Sequence, residues 1–152
     1  MKKPLKFLFY SLFLLNLNSF AAQNKEITEK LSPEIAERLV NAIYRIENSK
    51  KYPYGIKSIP IKGNTQPERE AYARRICLNT VNNNFKRFQQ QGSKGDFFEF
   101  LAEKFCPTKG NSLSSSEKRY NKYWLPNLRK ILGCNSYEDF RNREKDLFRV
   151  QK

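Results

Sequence analysis

The residue in the most distinctive chemical setting is Glu47, which ends an apolar helical pattern. Apolar side chains fill one arc of roughly 160° on a helix that turns about 100° per residue, and they are Ile35, Ala36, Leu39, Val40, Ala42, Ile43 and Ile46. Glu47 falls inside that arc, about 20° from Ala36 and Val40. Partial burial and the negative end of the helix macrodipole both disfavour a charged carboxylate there. The pattern therefore indicates a general acid.

A structural alternative exists for the same residue. A glutamate at a helix end often pairs with a nearby lysine or arginine, or turns toward solvent. The periodicity of the sequence does not separate this interpretation from the catalytic one.

The composition limits the remaining chemistry. The chain contains no histidine, which excludes Ser-His and Cys-His catalysis and any zinc site that uses histidine. We predict no metal and no cofactor. The candidates for a second catalytic acid are Glu68, Glu70, Asp96, Glu99 and Glu103. Asp96 is interpreted as a helix cap and the others as charges on helix surfaces, so none has a setting comparable to that of Glu47.

Residues 1–22 have the pattern of a secretory signal peptide. Lys2, Lys3 and Lys6 precede the apolar run 7–15, and Ser19-Phe20-Ala21 places small residues before a cleavage site. We therefore expect a periplasmic or extracellular protein. Removing this segment lowers the formal net charge from +14 to +11, because it carries three lysines and no acid. Such a charge favours an anionic envelope polymer or membrane surface as the partner and makes nucleic acid unexpected in that compartment, although a solvated basic surface without a partner is an alternative.

Three cysteines allow one disulfide and one further thiol in an exported chain. We predict a bond between Cys77 and Cys106, which would join the two main helices of the domain. Cys134 is then free or links two molecules.

The pattern predicts a mainly α (α+β) domain with at most one small β-hairpin. A helix is expected from Ser32-Pro33, with the serine as N-cap, to about Asn48. Pro53 and Gly55 then form a turn, and a short strand or hairpin is possible over residues 56–64. A long helix is expected from Pro67 to about Gln91, with a buried stripe at Tyr72, Ile76, Thr80 or Val81, Phe85 and Phe88.

The second half of the chain is predicted to be helical as well. Asp96 caps a helix over residues 97–105, and a loop follows over residues 108–118. Another short helix is expected to end at Gly133. A charged helix opens at residue 136, with Tyr137, Phe140, Leu147 and Phe148 as its apolar side. We expect a domain over residues 23–133 and a helical appendix over 134–152 that packs on the domain or contacts a partner.

Several segments resemble the lysozyme-like superfamily, and lytic transglycosylases in particular. Residues 42–48 (AIYRIEN) followed by 53–57 (PYGIK) are similar to the family's helix that ends on a catalytic glutamate and its following glycine turn. Phe100-Leu101, residues 105–108 (FCPT) and 121–128 (NKYWLPNL) are similar to the closing segment of small secreted members. The resemblance spans roughly residues 33–132. The chain departs from the family at Asn48, where serine is usual, and at residues 56–58, where Leu-Met-Gln is usual.

The resemblance implies a compact lysozyme-like fold and cleavage of peptidoglycan by Glu47 acting as acid and then base. A lytic transglycosylase needs one carboxylic acid, whereas hydrolytic glycosidases more often use two. The residues expected to bind the glycan are Tyr52, Tyr54, Gly55, Ile56, Tyr120 and Tyr123, and each tyrosine has the alternative role of anchoring its loop. Trp124 is expected in the core. The competing hypothesis is a non-catalytic envelope-binding or assembly protein that contacts a partner through its C-terminal helix.

Overall fold

A computed structural model describes residues 30–47, 50–110 and 112–150 of the chain. Within them the α-helices are α1 (Pro33–Glu47), α2 (Gln66–Gln90), α3 (Phe97–Phe105), α4 (Ser115–Asn121), α5 (Trp124–Leu132) and α6 (Tyr137–Val150), and a 3₁₀ turn covers Pro53–Gly55. These ranges contain no β-strand, which confirms the mainly α class. The signal peptide predicted at residues 1–22 lies outside the described residues. No helix in the described ranges is long and apolar enough to cross a membrane.

Helix α1 lies at the centre of the fold, where α2, α5 and the 3₁₀ turn pack around it. Its start is the predicted one: the Ser32 hydroxyl accepts a hydrogen bond from the Ile35 N–H at 3.3 Å, and Pro33 occupies the first helical position. The arc of apolar side chains is buried as predicted, from Ile35 to Ile43. Burying this arc on several sides at once fixes the direction in which α1 ends, and therefore the position of Glu47.

Helix α2 begins at a capping box, in which the Thr65 hydroxyl and the Glu68 carboxylate each bind the other residue's backbone N–H. Its buried stripe differs from the prediction in the first half of the helix. Ala73 and Cys77 are fully buried, whereas Tyr72 and Ile76 are only half-buried. Helices α1 and α2 pack closely, and only small side chains fit between them. The larger neighbours therefore lie at the edges of the contact.

The short strand or hairpin that the sequence allows over residues 56–64 does not form. This segment is irregular, and the described ranges contain no strand with which it could pair. Pro60 lacks an N–H, the Ile61 carbonyl accepts a hydrogen bond from Arg69 at 3.3 Å, and the Asn64 N–H binds the Glu68 carboxylate at 2.7 Å. The backbone groups are thus used to hold the start of α2.

Asp96 and Gly133 act as predicted. The Asp96 carboxylate accepts a hydrogen bond from the Phe98 N–H at 3.3 Å and caps α3, and Gly133 ends α5 with a left-handed φ of 67°. The loop predicted over residues 108–118 is shorter than expected, because Ser114 and Glu117 form a second capping box that starts α4 at Ser115.

The C-terminal helix packs on the domain, the first of the two placements expected for it. Tyr137 packs edge-on against Phe97 and Phe98, with centroid distances of 5.2 and 5.9 Å, and Phe140 is completely buried. Leu147, which was placed on the same apolar side, is instead half exposed, and the Phe148 side chain lies outside the described residues. The hydrophobic core therefore continues past the boundary predicted at residue 133.

Candidate active site

The Glu47 carboxylate is held at the end of α1 by a tryptophan from a distant helix. Its Oε1 accepts a hydrogen bond from Trp124 Nε1 at 3.0 Å. Trp124 is only 3% exposed, and its ring stacks on Phe105 with a centroid distance of 5.5 Å and an interplanar angle of 20°. Because the indole is fixed by packing, it fixes the orientation of the carboxylate as well. The prediction that Trp124 belongs to the core is confirmed, but its hydrogen bond to Glu47 was not foreseen.

Gly55 lies directly against the same carboxylate. A Cβ atom on this residue would be 2.6 Å from both Cδ and Oε2 of Glu47, closer than any real Cβ contact. Gly55 also has a left-handed φ of 70°, and Tyr54 before it has a φ of 58°, which is uncommon for a residue with a side chain. The 3₁₀ turn is thus bent so that its backbone touches the acid. Any side chain on this residue would require the Glu47 carboxylate to move.

Tyr54, the middle residue of the turn, has its side chain buried. Its ring is 6% exposed and packs on Tyr44 with a centroid distance of 5.0 Å. The pKa of Tyr54 is raised to about 12, by burial first and then by the nearby Cys77, Tyr44 and Glu70 in that order. The structure therefore places Tyr54 as the anchor of its loop, the second of the two roles expected for it.

Two cysteines lie near Glu47. Burial raises the pKa of the Cys77 thiol to about 12, and the charge of Glu47 contributes the next largest effect. The pKa of Cys106 is raised to about 12 by the same two causes in the same order. The predicted Cys77–Cys106 disulfide is not formed, since both residues are free thiols, as is Cys134. The effect of Glu47 on the pKa of Cys77 and of Cys106 places it within electrostatic range of both sulfur atoms.

Glu47 has no cationic partner within the described residues. The ion pairs found there involve other carboxylates. The pairing of Glu47 with a lysine or arginine, one of the two forms of the structural interpretation, is therefore not found in the part of the chain that the structure describes. Asn48 and Ser49, which follow the acid, lie outside it.

The other candidate acids have structural partners. Glu68 belongs to the capping box of α2, and Glu70 accepts a hydrogen bond from Gln66 at 2.8 Å. Asp96 and Glu99 both bind Arg129 at 3.2 Å. Glu103 lies 3.4 Å from the Thr108 hydroxyl. These contacts explain each acid without a catalytic role.

The remaining predicted glycan-binding residues occupy different settings. Ile56 is half-buried and packs against the core. The Tyr52 ring lies 5.2 Å from Lys51 Nζ. Tyr120 and Tyr123 are 69% and 53% exposed, and Tyr123 immediately precedes Trp124. The structure thus brings Gly55 onto Glu47 and leaves Tyr120 and Tyr123 on the surface, shortly before Trp124 in the chain.

Comparisons of the chain with protein-family models, with curated proteins and with solved structures found no match. Within the described ranges, no three histidine, cysteine, aspartate or glutamate side chains are grouped as metal ligands. The site contains a carboxyl group that is oriented by an indole N–H and contacted by the Gly55 backbone, and a carboxyl group held in this way can give or take a proton.

Proposed function

We propose that this chain is an exported enzyme that cleaves peptidoglycan, as a lytic transglycosylase or a lysozyme-type muramidase, with Glu47 as its general acid and base. The observation that carries the proposal is the position of the Glu47 carboxylate between the Trp124 indole N–H and the Gly55 backbone. The resemblance of residues 42–57 to the lysozyme-like superfamily gives the class of substrate.

The two carboxyl oxygens have different roles in this mechanism. Oε1 accepts the Trp124 N–H, so the acidic proton resides on Oε2. That proton moves to the glycosidic oxygen as the bond from this oxygen to the sugar C1 breaks. The resulting carboxylate then takes a proton from the nucleophile that attacks C1. In a lytic transglycosylase the nucleophile is the 6-hydroxyl of the same sugar, and in a muramidase it is water.

The single acid favours the lytic form of the reaction. Hydrolytic glycosidases commonly place a second carboxylate about 5 to 10 Å from the first. Each of the five candidate acids has another partner. Asp96 and Glu99 bind Arg129, and Glu68 caps α2. Glu70 accepts a hydrogen bond from Gln66, and Glu103 accepts one from Thr108. An internal hydroxyl nucleophile needs no second carboxylate, so the reaction can proceed with Glu47 alone.

The test is digestion of purified peptidoglycan, with mass spectrometry of the products. Wild type, Glu47→Gln and Glu34→Gln are compared. Glu34→Gln is the matched control because it makes the same change on the exposed first turn of the same helix. We expect anhydro products from wild type and Glu34→Gln, and about 100-fold less product from Glu47→Gln.

Each outcome decides between stated alternatives. Products with reducing ends would keep Glu47 as the acid but make the enzyme a hydrolase. No product from a folded wild-type chain that still binds the wall would instead support the non-catalytic envelope-binding protein and end the catalytic assignment.

A further inference from the structure

The region of α4 exposes two tyrosine rings that the fold does not use. Tyr120 and Tyr123 are the most exposed large apolar side chains in the described ranges, at 69% and 53%. Helix α4 has no buried residue at all, so these rings add nothing to the core. Tyrosines with an apolar ring and a polar tip are enriched where proteins contact ligands. Their exposure therefore indicates a binding surface.

The same surface carries uncompensated positive charge. Lys118, Arg119 and Lys122 form no ion pair with a carboxylate in the described ranges. The Arg119 guanidinium lies 6.0 Å from the centroid of the Tyr120 ring, and Lys122 Nζ lies 5.0 Å from that of Tyr123. Each exposed ring is therefore accompanied by a cation that is available to an anionic ligand.

Local contacts hold this surface in place without covering it. The Glu117 carboxylate, the one acid of α4, is occupied by the Ser114 N–H at 2.9 Å and the Ser114 hydroxyl at 2.7 Å. Asn121 donates a hydrogen bond to the Pro107 carbonyl at 2.8 Å. Hydrogen bonds from Ser114 lower the pKa of the Glu117 carboxyl, and the charge of Lys57 lowers it further, so a fourth cation lies near α4.

We propose that the α4 surface, formed by Lys118, Arg119, Tyr120, Lys122 and Tyr123, binds the carboxylate-bearing substituents of a glycan strand. Sugar rings would lie against the tyrosines, and the negative substituents would lie beside the three cations. That the strand is a wall glycan rests on the proposed function. Tyr123 directly precedes Trp124, the tryptophan that binds Glu47, so this surface is joined by the chain itself to the helix that holds the acid.

The experiment measures binding of the full chain to insoluble peptidoglycan, with Glu47→Gln as the background so that the ligand is not digested. The ligand is used untreated and after its carboxylates are converted to neutral amides. One triple variant removes the three α4 cations (Lys118→Gln, Arg119→Gln, Lys122→Gln). A matched triple variant removes three exposed lysines from other helices (Lys86→Gln, Lys130→Gln, Lys145→Gln). Tyr120→Ala with Tyr123→Ala tests the rings.

We expect the α4 triple variant to bind untreated peptidoglycan about 10-fold more weakly than its background, and the matched triple variant to lose less than about 3-fold. Amidation of the peptidoglycan should weaken binding of the Glu47→Gln background by a similar factor. On the amidated ligand, the α4 triple variant should then bind nearly as tightly as its background. The double variant Tyr120→Ala with Tyr123→Ala should bind both ligands about 10-fold more weakly. Because all these side chains are exposed, circular dichroism should show an unchanged fold.

Three results would overturn the proposal. These are equal losses for the two triple variants, unchanged binding after amidation, or tighter α4-dependent binding to an RNA oligonucleotide or to anionic lipid vesicles than to peptidoglycan. Failure of the proposed function gives a different result. If wild type releases no product while the binding data follow the expected pattern, the proposal of glycan binding by the α4 surface is kept and the proposal of cleavage by Glu47 is rejected.

Discussion

Two glutamates that face the interior of this protein are held in opposite ways. Glu144 on α6 is 1% exposed and forms an ion pair with Arg38 of α1, whose guanidinium also lies 5.4 Å from the centroid of the Phe140 ring. Glu47, at the end of the same helix α1, is half-buried and is bound by a neutral indole N–H. One acid has a cation as its partner, and the other has a neutral dipole.

These different partners suit a structural role for Glu144 and a chemical role for Glu47. A cation beside a carboxylate strongly favours the charged form, and a neutral N–H favours it less. A general acid must be able to hold its proton before it gives that proton to the substrate. Glu144 therefore fastens α6 to α1, whereas the neutral partner of Glu47 suits the proton transfer that we propose for it.

The largest expected effect is the loss of turnover in Glu47→Gln. Glutamine keeps the size of the side chain and an oxygen for the Trp124 N–H, but it has no proton to transfer. We expect turnover to fall by about 100-fold or more, with a thermal midpoint equal to that of wild type or slightly higher. Wall-cleavage rates and melting curves on the same preparations measure both. A variant that melts several degrees lower and keeps its turnover when folded would make Glu47 a structural residue.

Gly55→Ala should disturb Glu47 without altering its chemistry. The new methyl group would meet the carboxylate at 2.6 Å, and the left-handed φ of 70° adds backbone strain. We expect about 2 kcal/mol of lost stability and a fall in turnover of about 10-fold or more, because the acid must move.

The matched control for that change is Gly92→Ala. Gly92 has a similar φ of 77°, but a methyl group there would meet nothing within 4 Å. It should therefore show the backbone strain, about 1 kcal/mol, without loss of turnover. If the two variants lose the same stability and neither loses turnover, the contact between Gly55 and Glu47 has no catalytic consequence.

The sequence predicts those parts of the site that depend on local chemistry. The apolar period of α1, the Ser32 cap at its start and the turn at Pro53 and Gly55 belong to one continuous segment around Glu47, so spacing alone indicates the position of the acid. The helix starts and stops at Asp96 and Gly133 are equally local. These features were found because each depends on neighbouring residues in the chain.

The contacts that define the site are not local, and the sequence did not reveal them. Trp124 is separated from Glu47 by 77 positions, and nothing in its own segment indicates an acid as its partner. The buried stripe of α2 was misplaced because size, rather than hydrophobicity, decides that Ala73 and Cys77 face α1. The charged pattern of α6 concealed the pairing of Glu144 with Arg38, and a lone buried acid on an amphipathic helix is the signal that could have indicated it.

Glu144→Gln is expected to lower stability without changing the reaction. It removes a buried charge and leaves Arg38 without its partner. Because the Arg38 side chain is 43% exposed, solvent compensates part of the loss, and we expect about 1 to 3 kcal/mol. Urea unfolding measures the change, and turnover per folded molecule should equal that of wild type. A fall in turnover comparable to that of Glu47→Gln would erase the distinction between the two acids.

Trp124→Phe should weaken the hold on Glu47 while keeping the packing. A phenyl ring can still stack on Phe105, but it has no N–H to donate to Oε1. Losing a hydrogen bond to a charged group corresponds to about 1.5 kcal/mol, and we expect turnover to fall by about 3- to 10-fold. Cleavage rates and melting curves on the same preparations measure the two effects. A variant with wild-type turnover would mean that the indole N–H is not needed to hold the acid.

The smallest expected effect is a change in the pKa values of the cysteines, each of which responds to the charge of a nearby glutamate. The pKa of Cys77 and that of Cys106 are both raised to about 12, by burial first and by Glu47 second. The raised pKa of Cys134 has burial as its main cause and Glu144 as its weakest contributor. Glu47→Gln should therefore lower the pKa of Cys77 and Cys106 only, and Glu144→Gln should act only on Cys134.

Alkylation by iodoacetamide between pH 8 and 11, followed by peptide mass spectrometry, measures these shifts, since the thiolate is the reacting form. We expect Cys77 and Cys106 to react a few-fold faster in Glu47→Gln, because burial still disfavours their thiolates. The ordinary thiol pKa of 9.0 lies below the native value of about 12, so the native fold favours the protonated thiol. That stabilisation is complete below pH 9 and is lost as the pH rises toward 12. Equal acceleration at all three cysteines would show general loosening of the fold, whereas a selective response at Cys77 and Cys106 would show the charge of Glu47 without the use of any substrate.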